Sequence, residues 1–131
     1  MTIETALVTH LTGTSAAVAA IIGDRCYPDH LPQDVTLPAV RYQGIDRPEF
    51  LANPRVTTLR LVQKRIQIDA FAASYSAVKT LEAALIPALY AFNHAVDSSI
   101  VGTQVVDQRD LSDAEQGVYR SSIDIIVNMN E

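Results

Sequence analysis

The chain is short of the residues from which catalytic centres and disulfide scaffolds are commonly built. Cys26 is the only cysteine, which excludes an internal disulfide framework and any thiolate metal cluster made by one chain. That residue reads as a small member of the core. Five glycines stand singly at positions 13, 23, 44, 102 and 117, so there is no Gly-rich loop to cradle a phosphate. His10, His30 and His94 lie far apart, in no metal-binding spacing, and read as ordinary surface or helix-end residues. No nucleophile elbow is present. No apolar run approaches the ~20 residues of a spanning helix, and Met1 to Thr5 has neither the basic nor the hydrophobic block of a secretory signal. The expectation is a cytoplasmic, non-membrane chain without cofactor, metal or catalytic activity.

Positive charge is also scarce. Ten basic residues face fifteen acidic ones, a formal charge of −5, and the basic residues form no long block. Tight binding along a nucleic-acid backbone is disfavoured. The acidic residues gather in two places, Asp24, Asp29 and Asp34 beside His30, and Asp107, Asp110, Asp113 and Glu115. Neither group has the spacing of a calcium loop, and both read as solvated turns.

What the chain does have is apolar patterning. Hydrophobic residues make up 48% of the 131 positions and charged ones 19%, which suits one globular domain over residues 1–131. Ile66, Ile68 and Ala70 alternate with Arg65, Gln67 and Asp69, a period of two that predicts a strand with one buried and one wet face. On that facing, Gln67→Asp should cost little. From Ser74 to Phe92 the period changes to that of a helix, with Val78, Leu81, Leu85 and Leu89 forming a stripe that can cover the strand. Pro87 predicts a kink there.

The remaining elements follow the same signals. Ile3, Leu7 and Leu11, then Ala16 to Ile22, predict two short helices or one broken helix, with Thr2 and Ser15 placed to cap and Gly23 to terminate. Asp24 to Pro28 reads as a brief extended segment, and Ala39 to Ile45 as a strand in which Gly44 marks a bulge. Val56 to Val62 continues into the Arg65 strand, as one bent strand or two close ones. Ile100 to Asp107 and Gly117 to Met129 predict two more strands around a polar turn, Gln108 to Gln116. Together these give an α+β fold, with a mostly antiparallel sheet of about four strands and helices on one face. The long connection Asp46 to Arg55 is the candidate functional loop, because Phe50 and Leu51 stand among Asp46, Arg47, Glu49 and Arg55, an apolar centre with a charged rim.

Several segments, taken in order, resemble the tail completion proteins of long-tailed bacteriophages, also called tail terminator or head-to-tail joining proteins. They are Val18 to Pro28, Leu37 to Tyr42, Arg65 to Ala72 running into the alanine-rich helix, Asp107 to Leu111, and Gly117 to Asp124. The resemblance implies a structural subunit of the virion, assembled in the host cytoplasm into a homo-oligomeric ring, usually a hexamer. Such a ring caps the tail tube and meets the head connector, so the implied partners are the tail tube protein and the connector protein. It implies no catalysis, and it supplies no residue pattern for the Asp46 to Arg55 loop. A second reading of the same fold class is a dimeric regulatory domain that binds a small ligand, which would need a concave apolar pocket with convergent polar groups.

Overall fold

The computed structural model describes residues 3–46, 49–50, 61–111 and 117–130. In chain order its elements are α1 (Ile3–Thr9), a π-helical turn (His10–Thr14), α2 (Ala16–Ile22), β1 (Cys26–Pro28), β2 (Ala39–Asp46), β3 (Glu49–Phe50), β4 (Leu61–Ala72), α3 (Tyr75–Tyr90), β5 (Ile100–Asp110) and β6 (Tyr119–Asn130). The sheet runs β1-β2-β4-β6-β5, with β3 paired to β4. All pairings are antiparallel except that of β1 with β2. The expected α+β architecture holds, its four long strands being joined by two short ones.

The period-two pattern of β4 sets the layering. Ile66, Ile68 and Ala70 are fully buried, opposite Ile125, Ile123 and Ser121 of β6. Val78, Leu81, Leu85 and Leu89 of α3 close over them, and Leu7, Leu11, Val18 and Ile22 of the N-terminal helices complete the core. Each large aliphatic chain buried this way contributes about 1.5–3 kcal/mol relative to exposure. Ser74 caps α3, its hydroxyl accepting from the Ala77 amide at 3.2 Å. The helix does not stop at Pro87 but runs to Tyr90, because only one amide is missing from the ladder and the apolar stripe continues through Leu89.

The N-terminal helical stretch is broken, as one of the two alternatives required. Its halves, Ile3–Thr14 and Ala16–Ile22, meet at 86°. Ser15 makes no side-chain cap, and its amide instead donates to the His10 carbonyl at 2.8 Å. Gly23 ends α2 with φ +60°, the conformation in which a side chain would be strained. Thr2 lies outside the described residues.

Strand limits differ from the sequence pattern in two places. Asp46 closes β2 and the ladder resumes at Glu49 and Phe50, opposite Val62 and Leu61, so the connection expected to begin at Asp46 begins as strand. Gly44 does sit at a bulge, since the register with β4 shifts between Gly44 and Asp46. At the other end of the sheet, Gln108, Arg109 and Asp110 belong to β5 and not to a turn. Tertiary partners hold them there: Gln108 donates to Glu82, Arg109 to Ser122, and Lys79 donates to Asp110 at 2.7 Å. Among the described residues no single helix is long and apolar enough to cross a membrane.

Candidate interaction surface on the open face of the sheet

Side chains at alternate positions of a strand point to opposite faces, and the face of the sheet turned away from the helices is lined by charge. Its rows follow from the register: Arg41 lies opposite Asp69, Asp69 opposite Ser122, and Gln67 opposite Asp124. The expectation of a uniformly wet face fails at Asp69, which is fully buried. Arg41 donates to Asp69 Oδ2 through Nε at 2.9 Å and again through its terminal nitrogen, while Arg120 approaches Oδ1 at 3.1 Å. Gln67 donates to the same carboxylate at 3.2 Å. Burial pushes the Asp69 carboxyl up, but hydrogen bonds from Arg41, Gln67 and Ser122 and the charge of Arg120 outweigh it, so its pKa lies below the ordinary aspartate value. Phe71 stands beneath both guanidinium groups, 5.8 Å from Arg41 and 5.6 Å from Arg120.

A second carboxylate repeats the arrangement one row along. Asp124 is 3% exposed and holds Arg65 at 2.9 Å and Arg109 at 3.6 Å, with Asp107 a further 3.4 Å from Arg109. Each buried aspartate is thus shared by two arginines. The Nε atoms of Arg65 and Arg120 are buried without a hydrogen-bond partner. Arg41, Arg120 and Asp124 were not singled out from the sequence. The available signal was positional: Arg65 and Asp69 of β4 alternate with Ile66, Ile68 and Ala70, and Arg120 and Asp124 of β6 lie on the same face as their β4 partners, where cross-strand pairs form.

The sequence-derived interface residues divide. Asp46, Glu49 and Phe50 are strand residues at the far end of the β2–β4 pairing, whereas Arg47, Leu51 and Arg55 lie outside the described residues. His10 is not a surface residue: it is 3% exposed, its Nε2 lies 2.7 Å from the Ala88 carbonyl, and its ring lies 5.5 Å from that of Phe92. It ties the π-helical turn to the end of α3. His30 and His94 are exposed. Cys26 is a buried core residue whose thiol is pushed up to about 12 by burial, far from the range of a nucleophilic thiolate.

Among the described residues, two concavities flank the core. One, of about 460 Å³, lies between the N-terminal helices and the end of α3 and is lined by small residues such as Ala6, Ala88 and Ala91 around His10. The other, of about 400 Å³, lies at one end of the open face between Leu31, Val35 and Leu37 and the pair Phe71 and Arg120. Among the described residues no group of three or more His, Cys, Asp or Glu converges to hold a metal ion.

The α+β fold thus has its described helices on one side of the sheet and a polar face of carboxylate-held arginines on the other. The model of the family described as tail completion protein gp17 matches residues 5–129, and the chain belongs to that family, the structural proteins of the phage tail. A chain in a solved structure described as the virion of a native gene transfer agent particle shares the fold, with a TM-score of 0.70 at 18% identity over 98% of this chain and 94% of that one. No curated protein sequence matches.

Proposed function

We propose that the whole chain, residues 1–131, acts as one domain in a tail-terminating ring that caps the tail tube and docks to the head connector. The observation that carries this reading is the family match across residues 5–129. The open polar face and the two differently built sheet edges, β1 and β5, support it, since a ring needs two unlike surfaces on each subunit. The ring is hexameric and virion-borne, assembles in the host cytoplasm, and works without catalysis or cofactor. Asp46, Arg47, Glu49, Phe50, Leu51 and Arg55, at and beyond the end of the β2–β4 pairing, touch the neighbouring subunit or the tail tube. Negative-stain imaging of particles produced with and without the chain tests this. Without it, tails and heads should accumulate separately; joined, infectious particles at normal yield would overturn the reading.

A further inference from the structure

The two halves of β5 are finished differently. Among the described residues this 11-residue strand forms one edge of the sheet and pairs with β6 alone. At one end of that ladder Leu111 donates its amide to the Arg120 carbonyl at 2.9 Å, and at the other Asn130 donates to the Ser99 carbonyl at 2.7 Å. Hydrogen-bonded and non-hydrogen-bonded positions alternate along an antiparallel pair, and both ends give the same phase. Thr103, Val105, Gln108 and Asp110 therefore turn their main-chain groups away from β6. The half over residues 107–110 is guarded. Asp107 Oδ1 accepts the Gln108 amide at 2.9 Å, Lys79 donates to Asp110 at 2.7 Å, and three of its four side chains are charged. Devices of this kind keep an edge from recruiting a foreign strand. The half over residues 101–106 carries no charge, no lysine and no proline. Val101 and Val106, the extra residues where the register with β6 shifts, are 64% and 39% exposed. They bound a regular stretch, residues 102–105, that Thr103 anchors by donating its hydroxyl to the Phe92 carbonyl at 2.6 Å. A short, uncharged, β-branched run without proline pairs readily with another strand when it is left on an edge.

We infer that residues 101–106 are a strand-addition site, at which an extended segment of a second virion protein pairs with the free edge of β5. This rests on the reading of the chain as a ring that joins tail and head, and it names the kind of contact. Outward main-chain donors and acceptors at two-residue spacing complement another extended backbone. Because β6 and the Thr103 hydroxyl already hold the stretch straight, little ordering cost falls on this side of the contact. A second copy of the chain is the poorer occupant. Its opposite edge, β1, has three residues and ends in Pro28, which has no amide to donate. Pairing β5 with its own copy gives a two-fold contact, which closes on two chains and does not propagate around a ring. The incoming segment should be uncharged and apolar where it meets Val101 and Val106, since a charge there would be set against apolar surface.

The test uses the full chain and tails isolated from cells that lack it. In the free chain, hydrogen exchange followed by nuclear magnetic resonance should show the Thr103 and Val105 amides exchanging faster than those of Gly102 and Gln104, which β6 holds. Protection of Thr103 and Val105 there would mean that the edge is already covered, and would overturn the proposal. On binding of the wild type to tails, exchange over residues 101–106, read by mass spectrometry, should slow by about tenfold or more. Val101→Lys with Val106→Lys guards the edge while changing only exposed side chains, and circular dichroism checks that the variant folds. It should bind tails about tenfold or more weakly than the wild type, with self-association unchanged. If the wild type binds tails while exchange over residues 101–106 stays the same and the double variant binds equally well, the site is wrong and the joining reading stands. If wild-type copies protect residues 101–106 by associating with one another in the absence of tails, the occupant is a second copy and the proposal falls. If the wild type does not bind tails at all, the joining reading fails and the contact with it.

Discussion

The two faces of the sheet are buried by different means. On the helix-covered face, Ile66, Ile68, Ile123, Ile125 and Val127 lie under α3 and the N-terminal helices, and their burial stabilises by removing apolar area from water. On the open face, Asp69 is as thoroughly buried as Ile68 although no helix covers it. Its cover consists of Arg41, Arg120 and Gln67, whose long side chains fold over the carboxylate and keep their own outer parts in solvent. One face therefore holds the fold together, and the other holds a pattern of charge in place. The core face should respond to any polar intrusion. The open face should respond to changes in charge balance.

The largest effect should come from the core. Ile68→Asp buries an unpaired carboxylate against Val78, Leu81 and Leu85, and the expected loss of more than about 4 kcal/mol would unfold the domain. Urea denaturation followed by circular dichroism measures it. A folded, merely weakened variant would mean that the alternation of β4 faces the other way.

Next comes the open face's own buried group. Asp69→Asn keeps the shape but leaves Arg41 and Arg120 beside each other without a counter-charge. Removing one partner of a buried pair costs about 3–5 kcal/mol, and the partial exposure of both arginines, 20% and 27%, moves the expected loss towards about 2–3 kcal/mol. The same group sets an acid limb. Because the folded carboxyl has a lower pKa than the unfolded one, the unfolded chain binds more protons in that range, so stability is present above the ordinary aspartate value and declines as pH falls towards the folded one. Urea midpoints taken from pH 7 to pH 3 should fall for the wild type and fall less steeply for Asp69→Asn. Parallel curves would show that Asp69 is not the titrating group.

The comparison also shows which parts of the molecule were legible beforehand. Local period revealed β4, α3 and the facing of Ile66, Ile68 and Ala70, because burial there follows from apolar residues repeating at the spacing of the element. It misjudged Asp69, because the residues that bury it come from β2 and β6, 28 and 51 positions away in the chain. His10 was misread for the same reason, since its hydrogen-bond acceptor is the Ala88 carbonyl at a separation of 78 residues. Strand ends were the third difficulty: Gln108 to Asp110 look like a turn until Glu82, Ser122 and Lys79 are placed beside them. Composition excluded classes of chemistry, but only the register could assemble a paired arginine surface.

Gln67→Asp sharpens the point. Facing alone predicts almost no cost, since Gln67 stands on the side away from the helices. The structure places its amide 3.2 Å from the Asp69 carboxylate as a donor, so the substitution replaces a hydrogen bond with a second negative charge. A loss of about 1–2 kcal/mol is expected in place of none. Combining it with Asp69→Asn should cost less than the sum of the two, because the repulsion disappears with the charge. A double-mutant cycle on urea midpoints reads that coupling, and strict additivity would mean that the two side chains do not interact in solution.

The smallest effect on stability should fall at the far end of the β2–β4 pairing. Phe50 and Leu51 are adjacent apolar residues among Asp46, Arg47, Glu49 and Arg55, a sequence with the composition of a small interface patch. The bland alternative is that the pair packs onto its own hairpin, and the two accounts differ in where the loss appears. If the pair serves a neighbouring subunit or the tail tube, Phe50→Ser with Leu51→Ser should leave the isolated chain within about 0.5 kcal/mol of wild type. Ring formation and the yield of joined particles should nevertheless drop, because an apolar anchor at the centre of a contact carries a large share of its affinity. If the pair packs internally, the melting temperature falls first and assembly falls only as far as folding does. Thermal melts and particle titres of the same double variant separate the two, and a normal titre with a normal melt would leave the segment as a spacer only.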